Sequence, residues 1–180
     1  MGVTVRPATI DDAAGIARVQ VRTWQSAYAG LMPAETLDAL DVDQATLRIR
    51  AWFDSKGFDR AVAIDPIDGV VGFASFGPYQ IDRNHEHLDP RYGEIPAIYV
   101  AVEWQGQGIG RALMDAAVVA LRERGMTEVR LWVLAGNASA RAFYERYGLT
   151  ADGERSTFRV SGPGGVPVEL DEVRYTLRVG

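Results

Sequence analysis

The spacing of apolar positions changes several times along the 180-residue chain, and each change marks an element. "TVRPA" reads as a short first strand. Thr9 followed by Asp12 has the spacing of a capping box, after which Ala13, Ile16, Ala17 and Trp24 fall at helical intervals until "YAGL" breaks the run. Pro33 suits a first helical position and opens a short helix with Leu37 and Leu40; a further helix is expected around Gln44 to Phe53. "RAVAI" and "VVGFASF" flank "DPIDG", whose proline, aspartate and glycine are turn chemistry, so they predict a strand pair. The polar stretch from Pro78 to Tyr92 reads as a loop.

"GEIPAIYV" resumes strand character and runs into a turn with three alternating glycines, "QGQGIG". The helix that follows carries Leu113, Ala116, Ala117, Ala120 and Leu121 on one side and stops near Gly125. "EVRLWVL" alternates Val129, Leu131 and Val133 against Arg130, Trp132 and Leu134, a strand pattern. Asn137 is placed to cap the helix "ASARAFYERY", which Gly148 ends. "STFRV" and "VELDEVRYTLRV" predict two strands joined across "SGPGGVP". The order is mixed α/β, of the α+β type, without a uniform alternation of strand and helix.

Composition narrows the classes. A chain of this length with 47% hydrophobic residues can bury one sizeable core, so one domain over residues 1–180 is expected. A net charge of -5 argues against a nucleic-acid partner and mildly favours a cationic substrate. No apolar run reaches the length of a membrane span, and "MGVTVRPATIDD" lacks a signal peptide's apolar core, which predicts a cytoplasmic protein without a membrane partner. There is no cysteine, hence no disulfide, thiolate metal site or cysteine nucleophile. His85 to His87, "HEH", alternate in a polar loop without a third ligand, and no metal is expected.

The glycine turn carries the chemistry. A P-loop needs Lys and then Ser or Thr after its last glycine, but Arg111 and Ala112 follow Gly110. The dinucleotide fingerprint would need glycine where Arg111 stands. Two readings of Gln105 to Gly110 remain: a tight strand-to-helix turn that serves packing alone, or a bare backbone that admits an anion at a helix N-terminus, with Arg111 adding a cation.

The segment resembles the acyl-CoA-binding motif of the GCN5-related N-acetyltransferase (GNAT) superfamily. "IYV", four residues, then "QGQGIGRALM" is similar to the family's fourth strand, pyrophosphate loop and third helix. "NASARAFYERYGL" is similar to its second motif, and "VRPATIDDAAGIARV" to its first strand and helix; the likeness spans Val3 to Leu149. It implies a central, mostly antiparallel twisted sheet splayed at strands 4 and 5 and flanked by helices. It also implies an acetyl-CoA-dependent N-acetyltransferase acting on a primary amine of a small molecule or peptide. The alternatives are another acyl-CoA donor, or a non-catalytic CoA-binding sensor.

Carried over by position, the donor contacts fall on the main chain of Ile98 and Val100, and on Gln105, Gly106, Gln107, Gly108, Ile109, Gly110 and Arg111 around the pyrophosphate. Asn137 would bond the pantetheine, a role compatible with capping. The resemblance makes Tyr144 the general acid for the departing thiolate. An alkylammonium ordinarily titrates near about 10.4, so a base is required, and Glu94 is the candidate. On a regular strand Glu94, Ile98 and Val100 would share one face, but Pro96 between them implies a bulge or an unpaired edge. Trp24 and Tyr28 border the expected acceptor pocket. The family's ribosomal-protein acetyltransferases carry glutamate where Trp132 stands, which points to a different acceptor. Homodimers are common in the superfamily, and the sequence leaves that state open.

Overall fold

The computed structural model describes residues 2–54, 57–82 and 86–180. Seven strands form one sheet in the order β1-β2-β3-β4-β5-β7-β6. They are β1 (Thr4–Pro7), β2 (Asp59–Asp65), β3 (Gly69–Gln80), β4 (Leu88–Val100), β5 (Glu128–Leu134), β6 (Thr150–Ser161) and β7 (Pro167–Arg178). The helices are α1 (Ala13–Ala27), α2 (Ala34–Asp38), α3 (Val42–Trp52), α4 (Ile109–Glu123) and α5 (Ala138–Tyr147). Among the described residues no helix is long and apolar enough to cross a membrane.

Each face of the sheet carries its own core. On one side α4 turns Leu113, Met114, Ala117 and Leu121, all fully buried, against Ala74, Ile95, Val129 and Leu131. Truncating a leucine such as Leu113 to alanine there costs on the order of 3 kcal/mol. Gly93 lets α4 pack close to β4, since a Cβ there would lie 2.8 Å from Leu121 Cδ1 and would force that side chain to shift. On the other side Ile16, Ala17 and Val21 of α1 and Ile49 of α3 cover Val62 and Phe73. The start of α1 is held by Asp12, whose carboxylate accepts from Thr9 N at 2.8 Å and from both terminal nitrogens of Arg6 at 2.8 Å.

The sheet is antiparallel except where β4 meets β5, and that parallel ladder spans only Tyr92–Glu94 against Glu128–Arg130. Beyond it β4 stays with β3 and β5 with β7, so the sheet splays at strands 4 and 5 as expected. A bulge sits at the fork. Ser75 pairs with Ala97 and Gly77 with Glu94, so β4 uses one more residue than β3 over this interval. Pro96, which has no N–H to give a ladder, lies in that interval.

The bulge corrects the regular-strand expectation. Side chains alternate along a strand, so one extra residue reverses which face the preceding side chains occupy. Glu94 therefore lies on the α1 and α3 side with Ala97 and Tyr99, opposite Ile98 and Val100, which pack with the α4 core. A second correction concerns Pro78 to Tyr92. β3 continues through Gln80 and β4 starts at Leu88, with Pro78 paired to Gly93 and Gln80 to Leu88. The register shifts between Pro78 and Tyr79, and the polar residues Asp82, Glu86, His87 and Arg91 are exposed, which made the strands resemble a loop.

Candidate functional site

The fork between β4 and β5 opens into a cavity of about 930 Å³. Its walls come from α1, the second half of β4, the glycine turn, β5 and α5. Of the fourteen residues expected at the site, all but Gln107 and Ile109 line it.

The open edge of β4 forms one wall. Ala101 N donates to Val71 O at 2.9 Å, which fixes the hydrogen-bonded pairs of the β3–β4 ladder. By alternation, Ile98 and Val100 turn their N–H and C=O groups away from β3 and toward the fork. There Val100 O accepts from Gln105 Nε2 at 3.0 Å, so Gln105 ties the end of the strand to the turn.

The turn itself is bare. Gly106 and Gly108 have φ of 76° and 83°, left-handed values that favour glycine. A Cβ on either would meet no atom within 4 Å, so the space beside the backbone is open. Gly108 is the N-cap of α4 and gives no side-chain cap, which leaves the helix's first N–H groups available to an anion. A Cβ added at Gly110 would lie 3.4 Å from the Phe143 ring, and Arg111 is exposed 3.9 Å from Asp115. Gln107 and Ile109 do not line the cavity; Gln107 bonds Glu103 O, and the Ile109 side chain is buried in the α4 core. Their side chains therefore stand away from the cavity.

Asn137 and Tyr144 reach the cavity from α5. Asn137 is the N-cap, its Oδ1 accepting from Ala140 N at 3.2 Å, and its amide nitrogen is not used by that bond. Tyr144 is 8% exposed and packs between Phe143 and Tyr175. Burial, and then the neighbouring Tyr99 hydroxyl, push its phenol above the ordinary tyrosine value, so it stays protonated.

Across the cavity Glu94 is 2% exposed and accepts from Gln80 N at 2.8 Å. Trp24 and Tyr28 both line the cavity, their rings meeting edge to face at 5.2 Å. They also pack with Met32, Leu37 and Leu134, so the packing role and the lining role coexist. The hydroxyls of Tyr28 and Tyr99 are 3.3 Å apart, and burial raises both above the usual tyrosine range.

Sequence reasoning missed Tyr99, Phe158, Glu172 and Arg60, all of which line the same space. Phe158 stacks on Trp24 at 5.9 Å. Tyr99 stands next to the two strand residues that were singled out, so the bulge parity was the signal for it. For the others there was none, because strand pairing alone brings β2, β6 and β7 here. Trp132, noticed as a departure, is a wall residue. Of the "HEH" pair, His87 bonds Asp82, and His85 lies outside the described residues.

Comparisons with known proteins agree with this geometry. The Acetyltransferase (GNAT) family matches residues 21–149. The uncharacterized N-acetyltransferase YuaI of Bacillus subtilis is 34% identical over 176 residues, 95% of this chain and 90% of its own. A mycothiol acetyltransferase of Kocuria rhizophila is 40% identical over 102 residues, which is 56% of this chain but 32% of that protein. The PaiA N-acetyltransferase of Thermoplasma acidophilum, solved in complex with coenzyme A, shares the fold over 99% of both chains with a TM-score of 0.72 and 17% identity.

Proposed function

Because this chain belongs to the acetyltransferase (GNAT) family and is an acetyltransferase, we propose that it moves the acetyl group of acetyl-CoA directly to a primary amine of a small molecule or peptide. Residues 1–180 act as one domain in this reading. The observation that carries it is that Glu94 and Tyr144, both buried, line one cavity beside the open edge of β4.

Bound acetyl-CoA supplies the activated thioester carbonyl. The backbone of Gly106 to Arg111 holds its pyrophosphate, with the first N–H groups of α4 and its dipole favouring the anion. Ile98 and Val100 hydrogen-bond the pantetheine arm as an added strand would, and the Asn137 amide nitrogen donates to it. Glu94 takes a proton from the acceptor ammonium, directly or through water, and frees the lone pair. As the nitrogen–carbon bond forms, the Val100 N–H stabilises the charge developing on the thioester oxygen. Tyr144 gives its proton to the sulfur as the carbon–sulfur bond breaks, the acylated nitrogen sheds its second proton to solvent, and Tyr144 and Glu94 return to their starting protonation by exchange with solvent. The chain has no cysteine, so an acetyl-cysteine intermediate has no carrier. Trp24 and Tyr28 close over the acceptor.

A protonated Tyr144 in the cavity favours catalysis over a sensor that has lost it. The test is thiol release from acetyl-CoA with a panel of polyamines, amino acids, aminoglycosides and peptide N-termini. Acceptor-dependent release is expected for at least one class. Tight acetyl-CoA binding with no release for any of them would sink the transferase reading, and faster release from propionyl- or succinyl-CoA would change the donor.

A further inference from the structure

One end of the cavity holds a buried charge that the transfer above does not use. Arg60 lies on β2 and is 9% exposed. It pairs with Ser75, which pairs with Ala97, so Arg60 stands on the Glu94 side of the sheet, two strands away from β4. Its guanidinium lies over the rings of Trp52 and Phe53, with its carbon 5.9 and 5.1 Å from their centroids. Those rings offer weak compensation for a buried cation.

Among the described residues the further compensation is the charge of the adjacent Asp59, and it does not outweigh burial. Its Nε is buried without a hydrogen-bond partner. The neighbouring carboxylate, Asp59, is engaged by Arg124. Burial lowers the guanidinium's pKa, the mark of a cation short of compensating charge. A buried charge whose neighbouring carboxylate is shared with another cation is costly, and a ligand that supplies a second anion would resolve it. The other cations on the cavity wall, Arg111 and Arg146, are exposed and stand on α4 and α5 beside the glycine turn. Arg60 instead lines the cavity from β2, beside its partner Ser75 and on the same side of the sheet as Glu94, where the acceptor would lie.

We infer that Arg60 is an anion-recognition residue of the acceptor pocket and that the acceptor is an amine that also carries a carboxylate. A guanidinium edge matches a carboxylate in two parallel hydrogen bonds. Such an acceptor directs its carboxylate to Arg60 and its ammonium toward Glu94. The substrate class becomes amino acids and short peptides with a free carboxyl end, despite the chain's net charge of -5, because the recognition is local. The transfer half of this statement rests on the N-acetyltransferase reading; the binding half does not.

The experiment measures binding by calorimetry, with CoA saturating. The probes are the common amino acids and a set of dipeptides, each against its C-terminal amide. Wild type, Arg60→Met and Arg60→Lys are compared, with melting temperature and acetyl-CoA affinity as controls for folding. For at least one pair, wild type binds the acid roughly 10-fold or more tightly than the amide. Arg60→Met brings the two together while binding the amide as wild type does, and Arg60→Lys keeps part of the preference. Equal binding of acid and amide by wild type, or a preference that survives Arg60→Met, overturns the inference. If Arg60→Met does not fold, an undiminished preference in Arg60→Lys overturns it. Acid binding that depends on Arg60, with no acetyl transfer to any bound acid, would overturn the acceptor half of the inference and leave the binding half standing, and release with none of the acceptor classes would remove the transferase reading as well. Transfer to amides as readily as to acids would overturn the inference and leave the transferase reading standing.

Discussion

Glu94 and Ile98 stand four residues apart on one strand and face opposite sides of the sheet, because the bulge around Pro96 inserts a residue between them. The consequence is a division of labour along β4. Ile98 and Val100 hold their side chains in the α4 core and offer backbone to the fork, while Glu94 reaches the cavity with its side chain. Were the strand regular, the carboxylate would be buried beneath α4.

That placement makes Glu94→Gln the sharpest test of the base. Glutamine keeps an acceptor for the Gln80 N–H, so the fold should survive with its melting temperature within a few degrees. The rate of transfer should fall about 100-fold or more, the usual worth of a positioned base. Much of it should return at alkaline pH, where the acceptor amine is already neutral. A steady-state pH profile on both proteins gives the answer, and an unchanged rate at neutral pH would remove Glu94 from the mechanism.

For Tyr144 the sign of its shift matters. Its phenol is raised above the ordinary value of about 10, so the proton it is proposed to donate is present throughout the neutral range and remains above pH 10. No loss of rate on the alkaline side below about pH 10 should trace to Tyr144. Tyr144→Phe should lower turnover about 100-fold while the dissociation constant for acetyl-CoA changes by less than about 3-fold. Equal turnover in the variant would show that water or another group protonates the thiol.

The glycine turn separates strain from binding. At Gly108 an alanine would meet nothing within 4 Å, so its cost to the fold is the left-handed backbone alone, about 1 kcal/mol. Its methyl group would stand in the space proposed for the pyrophosphate. Gly108→Ala should therefore lose a few degrees in melting temperature but weaken acetyl-CoA about 10-fold or more by calorimetry. A stability loss with undiminished acetyl-CoA affinity would return the turn to packing alone.

Stability should also fall with acid through Asp12. Its side chain is 10% exposed, and hydrogen bonds from Arg6 hold the carboxyl below its ordinary value. A depressed folded pKa means the contribution is complete above the unfolded value near about 3.9 and is lost as pH falls through the lower folded value. Asp12→Asn should cost about 1 kcal/mol at pH 7, a figure reduced because Arg6 is 44% exposed. Denaturant melts at pH 7 and below pH 4 should show that cost shrinking with acid.

These tests divide along the same line as the sequence. Elements with local signals were legible: α5 begins after Asn137 and ends at Gly148, whose φ of 116° is the expected left-handed cap. The places of the glycine turn and Tyr144 in the fold were legible for the same reason, since their spacing lies within one strand, turn or helix. The faces of β4 were not, because period-two parity is reversed by one inserted residue that no local pattern dates. Arg60, Phe158 and Glu172 were not either, since they reach the cavity only through strand pairings set by the whole sheet.

Asn137 offers a case in which two roles share one side chain and can be pulled apart. Its oxygen caps α5 through Ala140 N, and its amide nitrogen is the group proposed to bond the pantetheine. Asn137→Ala removes both, so it should lose about 1 kcal/mol of stability and weaken acetyl-CoA together. Asn137→Asp keeps a capping oxygen at a helix N-terminus, where negative charge is favourable, but has no N–H to give. Its melting temperature should match or exceed that of wild type while acetyl-CoA binding falls as far as in the alanine variant. If the aspartate variant binds acetyl-CoA as wild type does, the cap is the whole of what Asn137 contributes.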